Sequence, residues 1–379
     1  LLLRPLADLT LPGDADEGNV AAALVDSSKA ASQNGDSRFI SNSEPTLTIF
    51  VQREIYSMLK RTFLGLALVV AAVSAAAAAP GEAFTDPKEA GKDFEIQGEY
   101  VGGEGDERRG AQIIALGDGK FQGIGYSGGL PGDGWSRGDE VYKSEGEWKD
   151  DAVVFKTDEF TASAKDGKLT IKDTDGNQVM EMKKVERKSP TLGAKPPEGA
   201  KVLFDGTTAD NFENGQLVDG KYLGATNCTS KEKVGDHTLH IEFRTPFMPK
   251  ARGQGRGNSG VYMQSRYELQ VLDSFGLEGE NNECGGIYQI AKPKVNMCLP
   301  PLAWQTYDIE FTAAKYDNGK KTENARATIK HNGVTIHDNL ELPHGTPGRA
   351  QEGPEELGIF LQDHGNPVVF QNIWVVEKK

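Results

Sequence analysis

Basic charge, cysteine and long apolar runs are all scarce in this chain, and each scarcity removes a class of function. The 379 residues hold 42 Lys and Arg against 56 Asp and Glu, a formal net charge of −14. Binding along a phosphate backbone needs clustered cations, so no nucleic-acid partner is expected, and the acidic balance otherwise implies solubility. The Gly-rich run Arg252 to Gly257 lacks the strand and helix context of a phosphate loop. Only Cys228, Cys284 and Cys298 carry thiols, and neither Cys-x-x-Cys nor His-x-x-x-His spacing occurs, so a zinc site is not announced. Beyond residue 80 no apolar run is long enough to span a bilayer, and no long stretch repeats at helical period. Forty-five glycines with an apolar content of 37% point instead to turn-rich β structure.

The one strongly apolar stretch lies upstream. Met58-Leu-Lys-Arg precedes FLGLALVVAAV, then Ser74 and an alanine run to Pro80. A basic start, an apolar centre and small residues suited to cleavage make residues 58–79 a secretory signal. Translation is then expected to begin at Met58, with residues 1–57 a disordered upstream segment produced by a start-site error. The expected product is exported, periplasmic or secreted, with no membrane span once the signal is removed.

The remainder divides in two. From about residue 85 to 188, short strands are separated by Gly117-Asp-Gly, Asp166-Gly and Asp175-Gly, which reads as a small antiparallel β domain with an accessory role. The Pro-rich segment 189–200 reads as a semi-rigid linker, and residues 201–379 as a second β domain. There, Asn332-Gly333 predicts a hairpin turn with His331 at its tip. Cys284 and Cys298 bracket a strand and loop, where a disulfide would staple the loop in an oxidising compartment; Cys228–Cys284 is the alternative pairing.

The chemistry concentrates on three strands of that second domain. HTLHIEFRT places His240, Glu242 and Arg244 on one face. NSGVYMQSRYELQVLD gives Glu268 and Gln270 one face, and LQDHGNPVVFQNIW gives Gln362 and His364 one face. Strand side chains alternate with a period of two, so each segment offers an apolar face to a core and a polar face to a cleft. With GGIYQI, WQTYDIEF and HNGV in the same order, the region from about Gly199 to Glu377 resembles the 3-keto-disaccharide hydrolase domain family. The resemblance implies an all-β fold, a concanavalin-like jelly-roll β-sandwich preceded here by the small antiparallel domain. It also implies a carbohydrate substrate whose glucose C3 is already a ketone. Such a ketone acidifies the C2 proton, so that a base can remove it, the C1 substituent leaves by β-elimination, and water adds to the enone.

That reaction needs a base, an acid and a donor near the C3 oxygen. Glu268, Glu242 and His364 are the expected catalytic set. Arg244, Gln270, Gln362, Asn258, Tyr262 and Tyr288 are the expected substrate contacts. Arg266 or a divalent metal is an alternative enolate stabiliser, with His240, Glu242 and Glu268 as its candidate ligands. Laminarinase-type glycosidases place two carboxylates on the strand that here reads Glu268, Gln270 and Asp273; the amide at the middle position argues against a conventional retaining site. A lectin-like binding module is the competing class, since fold does not fix function.

Overall fold

The computed structural model describes residues 82–378; the upstream segment and the signal lie outside them. The regular structure of the described residues is nearly all strand, and the one α-helix among them is the six-residue Gly91–Ile96. None of their helices is long and apolar enough to cross a membrane.

Eight antiparallel strands close the N-terminal part into a barrel. Their order is Gly98–Gly102, Gln178–Val185, Lys168–Lys172, Thr161–Lys165, Ala152–Lys156, Val141–Lys149, Lys120–Ser127 and Arg109–Gly117. Closure removes the open edge that a small sheet would expose. The tight turns follow from local chemistry. Asp118 and Gly119 have φ of 54° and 71°, and Asp166 and Gly167 of 50° and 72°, the two positive angles of a type I′ turn. Tyr100, Phe121, Phe155 and Met182 fill the interior, so the barrel has a packed core. Gly146 makes room for it, since a Cβ there would lie 2.4 Å from the Phe155 ring.

The C-terminal part is a two-sheet antiparallel sandwich, as the residue alternation predicts. One sheet has the order Phe212–Glu213, Cys228–Val234, Leu357–Leu361, Ser259–Met263, Tyr267–Val271. The other has eight strands and is centred on Val369–Glu377, His237–Arg244, Gln305–Thr312 and Ala325–His331. Their inner faces supply one core: Val261, Leu269 and Leu361 from the first, Ile241, Phe243, Ile309 and Phe370 from the second. His331 corrects the turn-tip expectation. The Asn332-Gly333 turn does form, with φ of 49° and 81°. The histidine before it, however, is fully buried at the strand end, its Nε2 3.0 Å from Gln305 Oε1. Burial pushes its pKa down to about 3, so it stays neutral.

Barrel and sandwich share a core. Phe247 and Leu302, from sandwich loops, belong to the barrel's apolar cluster. Phe247 exchanges two backbone hydrogen bonds of 2.9 Å with Phe84, and its ring centroid lies 5.2 Å from that of Phe94. The described residues accordingly form part of one compact unit. Truncating Phe247 to alanine should cost about 3–5 kcal/mol, and calorimetry should show barrel and sandwich melting in one shifted transition.

Candidate active site

The outer face of the five-stranded sheet is built by pairing. Tyr262 lies opposite Glu268 and Gly260 opposite Gln270 across one strand pair, and Tyr262 lies opposite Phe360 across the next. Alternation therefore turns Glu268, Gln270, Tyr262 and Phe360 away from the core together. Gln362 joins them: its N–H donates to Gly260 O at 2.9 Å and its Nε2 to Tyr262 Oη at 3.0 Å. Gly260 leaves room for the carboxyl in this position, because a Cβ would stand 2.6 Å from Glu268 Oε1 and the carboxyl would have to shift. Asn258 enters from the preceding loop, its Nδ2 donating to Gln254 O at 2.8 Å, while Gln254 Oε1 accepts from Gln270 Nε2 at 3.0 Å. Gln270 Oε1, Asn258 Oδ1 and Gln362 Oε1 are buried without a partner among the described residues. Tyr288 sits half-buried beside the group, its N–H on Glu268 O at 3.1 Å.

Glu268 is 3% exposed, and that environment decides its chemistry. Desolvation disfavours the charged form and raises its pKa from 4.5 to about 7, although hydrogen bonding to Tyr262 pulls it partly back. A carboxyl poised there gains or loses a proton near neutrality, as a general base requires.

Several expected residues are elsewhere. Glu242 and Arg244 lie on the outer face of the opposite sheet, because Ile241 and Phe243 occupy its inner face. Glu242 is enclosed by Gly193 N–H at 2.6 Å, Gln371 Nε2 at 2.7 Å, Asn372 Nδ2 at 2.8 Å and His240 Nε2 at 3.3 Å. Burial raises its pKa, but these hydrogen bonds outweigh burial and hold it below the usual value. His240 completes the network, with Nδ1 2.6 Å from Asp308 and its ring stacked 5.0 Å from Trp374. The network fastens residues 189–194 to the back of the sandwich and has no access to Glu268. Arg244 instead lies over the Tyr222 and Trp304 rings, 5.1 and 5.2 Å from their centroids.

His364 is exposed. The strand ends at Leu361, so the alternation that would set it beside Gln362 stops before it. Asp273 is buried against Arg256 Nε at 2.6 Å, which removes it as a second carboxylate. Arg266 is structural, holding Gln351 O at 2.9 Å and Glu355 O at 2.8 Å. The expected disulfide is not formed: Cys228, Cys284 and Cys298 are buried free thiols, and Cys284 Sγ lies 3.2 Å from Tyr307 Oη.

Among the described residues no three His, Cys, Asp or Glu side chains are arranged to hold a metal. The ligands proposed for one, His240, Glu242 and Glu268, are divided between the outer faces of the two sheets. The donors around Glu268 are amides and phenols, which suit sugar hydroxyls better than a hard cation. The donor set does not fit a metal.

The loop that Arg266 anchors supplies what the sequence reading missed. Thr346 Oγ1 accepts the Glu268 N–H at 2.9 Å, and the exposed Arg349 guanidinium sits 3.6 Å from the Phe360 ring centroid. The only available signal was the Gly- and Pro-rich run from His344 to Pro354 between two strands.

The raised pKa of Glu268 carries a stability consequence. The folded protein holds that proton more tightly than the unfolded chain, so the associated stability is complete below pH 4.5 and is lost as pH rises through about 7. Glu268→Gln should therefore stabilise the fold at pH 8, by on the order of 3 kcal/mol or less and read as a higher melting temperature, and not at pH 4.

Residues 199–376 match the profile of the 3-keto-alpha-glucoside-1,2-lyase-like domain. No curated protein matches the chain. Among solved structures it is similar to a candidate glycosyl hydrolase of Parabacteroides distasonis ATCC 8503, with 29% identity over 48% of this chain and 85% of that one and a TM-score of 0.45. Another candidate glycosyl hydrolase of that organism is 18% identical over 48% of this chain and 95% of its own, with a TM-score of 0.36. The sandwich carrying Glu268, the C-terminal half of the chain, is a domain of the 3-keto-alpha-glucoside-1,2-lyase-like family.

Proposed function

We propose that the protein cleaves 3-keto-glycosides or 3-keto-disaccharides at the Glu268 face by elimination and hydration. The observation that carries this reading is a single carboxyl, raised to about 7, without the carboxylate partner a retaining glycosidase places about 5–5.5 Å away. Of the expected partners, Glu242 faces the other way and Asp273 is tied to Arg256. One base suffices when the substrate carries its own electron sink.

Glu268 takes the C2 proton, and the electrons of that C–H bond enter the C3 ketone as an enolate. Arg349, above Phe360, supplies positive charge near the developing oxyanion. As the enolate collapses, the C1–O bond breaks, and the leaving oxygen receives a proton from Tyr262, which then recovers one from Glu268. Water adds across the resulting enone to release the free 3-keto sugar. The unpartnered acceptors of Gln270, Asn258 and Gln362 take hydrogen bonds from sugar hydroxyls. Because Glu268 is 3% exposed, a sugar reaches it only when the Arg349 loop yields. The basic, apolar and small-residue order of residues 58–79 supports an exported location, which sequencing the mature N-terminus near Pro80 tests.

Incubation with 3-keto-lactose or 3-keto-trehalose beside the unoxidised sugars, followed by NMR, should show cleavage of the keto-sugars alone. Glu268→Gln should lower kcat by at least about a hundredfold while leaving sugar binding largely intact. Cleavage of ordinary glucans would favour a conventional glycosidase, and binding without any turnover a lectin. The kcat/KM profile should rise with pH through about 7, as Glu268 ionises. Tyr262→Phe removes both the proposed acid and a hydrogen bond that favours the carboxylate, so it should lower kcat and move the limb of the remaining activity to higher pH.

A further inference from the structure

Across the outer face of the five-stranded sheet, Phe360, Tyr262 and Glu268 stand in one row on neighbouring strands. The row does not end at Glu268. Residues 285–288 run along the free edge of its strand: Gln270 N–H donates to Gly286 O at 2.9 Å, and Tyr288 N–H to Glu268 O at 3.1 Å. Leu269 bridges Ile287, which is fully buried in the sandwich core. Alternation therefore sets Tyr288 on the outer face, directly beside Glu268. A tight turn holds it there. Ile287 and Ala291 exchange two backbone hydrogen bonds of 2.9 and 3.0 Å, and Gln289 takes a φ of 60°.

The two ends of the row differ. Tyr262 and Phe360 are each 1% exposed, with the Arg349 guanidinium over the Phe360 ring. Tyr288 is half-buried; its hydroxyl has no hydrogen-bond partner among the described residues and is not sealed from solvent. Other tyrosines of the sandwich spend theirs on neighbours: Tyr262 accepts from Gln362, Tyr267 donates to Glu352, and Tyr307 donates to the Gln270 carbonyl. Burial chiefly raises the pKa of the Tyr262 phenol, and Glu268 and the Tyr288 phenol add to it, as groups close together would.

We propose that Tyr288 forms the leaving-group subsite and that the group it selects is a second sugar, so that 3-keto-disaccharides are cleaved in preference to simple alkyl 3-keto-glycosides. The proposal rests on the elimination chemistry at Glu268. With Arg349 at the C3 oxygen and Glu268 at C2, the other neighbour of C2, which is C1, points along the row away from Phe360, and its substituent meets Tyr288. Tyr262, hydrogen-bonded to Glu268, keeps the role of acid. A phenol suits a sugar, because its apolar ring packs on the C–H face of a pyranose while its hydroxyl donates and accepts. The exposed amides of Asn282 and Gln289 on the same edge add donors and acceptors without charge. A methyl leaving group reaches none of these.

The test compares 3-keto-trehalose with methyl 3-keto-α-glucoside, which share the reacting ring and differ in the leaving group. Taking the ratio of their kcat/KM values in each protein cancels the intrinsic difference between the two leaving groups. Tyr288→Ala should lower kcat/KM for 3-keto-trehalose at least tenfold more than for the methyl glycoside, and Tyr288→Phe, which keeps the ring, should recover part of that loss. Calorimetric titration in the Glu268→Gln background reads binding without turnover, and there Tyr288→Ala should cost the disaccharide at least tenfold more affinity than the methyl glycoside. Thermal melting verifies folding, and Tyr288→Leu serves if Tyr288→Ala is unfolded. An equal loss for both substrates, or an unchanged ratio, would overturn the subsite and leave the elimination chemistry standing. A wild-type protein that cleaves neither keto-sugar would overturn that chemistry and the subsite with it.

Discussion

The period of two along a β-strand is the constraint on which this site rests. Once Val261, Leu269 and Ile241 are committed to the core, every neighbouring side chain is committed to an outer face, and the two sheets have different outer faces. Glu268, on the last strand of its sheet, and Glu242, on a central strand of the other, each sit between apolar neighbours, yet the sandwich core separates them. No change of side-chain rotamer unites them. Whatever chemistry the Glu268 face performs must be done with residues of its own sheet and the loops above it.

The same two glutamates show how surroundings set the state of one functional group. Both are almost fully buried. Around Glu242 the donors are numerous: a backbone N–H, two amides and an imidazole. They stabilise the charge and make the residue a fastener for the chain that joins barrel to sandwich. Around Glu268 donors are few, and desolvation dominates. A carboxyl held permanently charged is a weak base, whereas one kept near neutrality can exchange protons. The structural role and the proposed reactive role thus follow from the count of hydrogen bonds, with burial nearly equal.

Much of the fold was legible in the sequence because turns and alternation are local. Asp166-Gly167 and Asn332-Gly333 form the turns their letters demand, and the strand pattern of the sandwich follows its apolar residues. The placement of Glu268, Gln270 and Tyr262 on one face was equally legible, since one hairpin fixes it. Their separation from Glu242 was not, because alternation within a strand says nothing about which sheet the strand joins. Arg349 and Thr346 were invisible for a related reason: loops carry no period, and their contacts depend on Arg266 holding the segment down. His364 failed at a strand end, where alternation stops one turn earlier than the letters suggest. The placement of Cys284 and Cys298 beside Tyr307 and Leu272 likewise depends on tertiary contacts that spacing does not encode.

Gly260 gives the site an unusual vulnerability. Its missing side chain is the space into which the Glu268 carboxyl fits, 2.6 Å from where a methyl group would begin. The core beneath, built from the alternate residues, takes no part in that contact. A single-base change to alanine or serine would thus crowd the carboxyl while leaving every core residue in place. If Glu268 is the base proposed above, reactivity and fold are separable at this position by one codon.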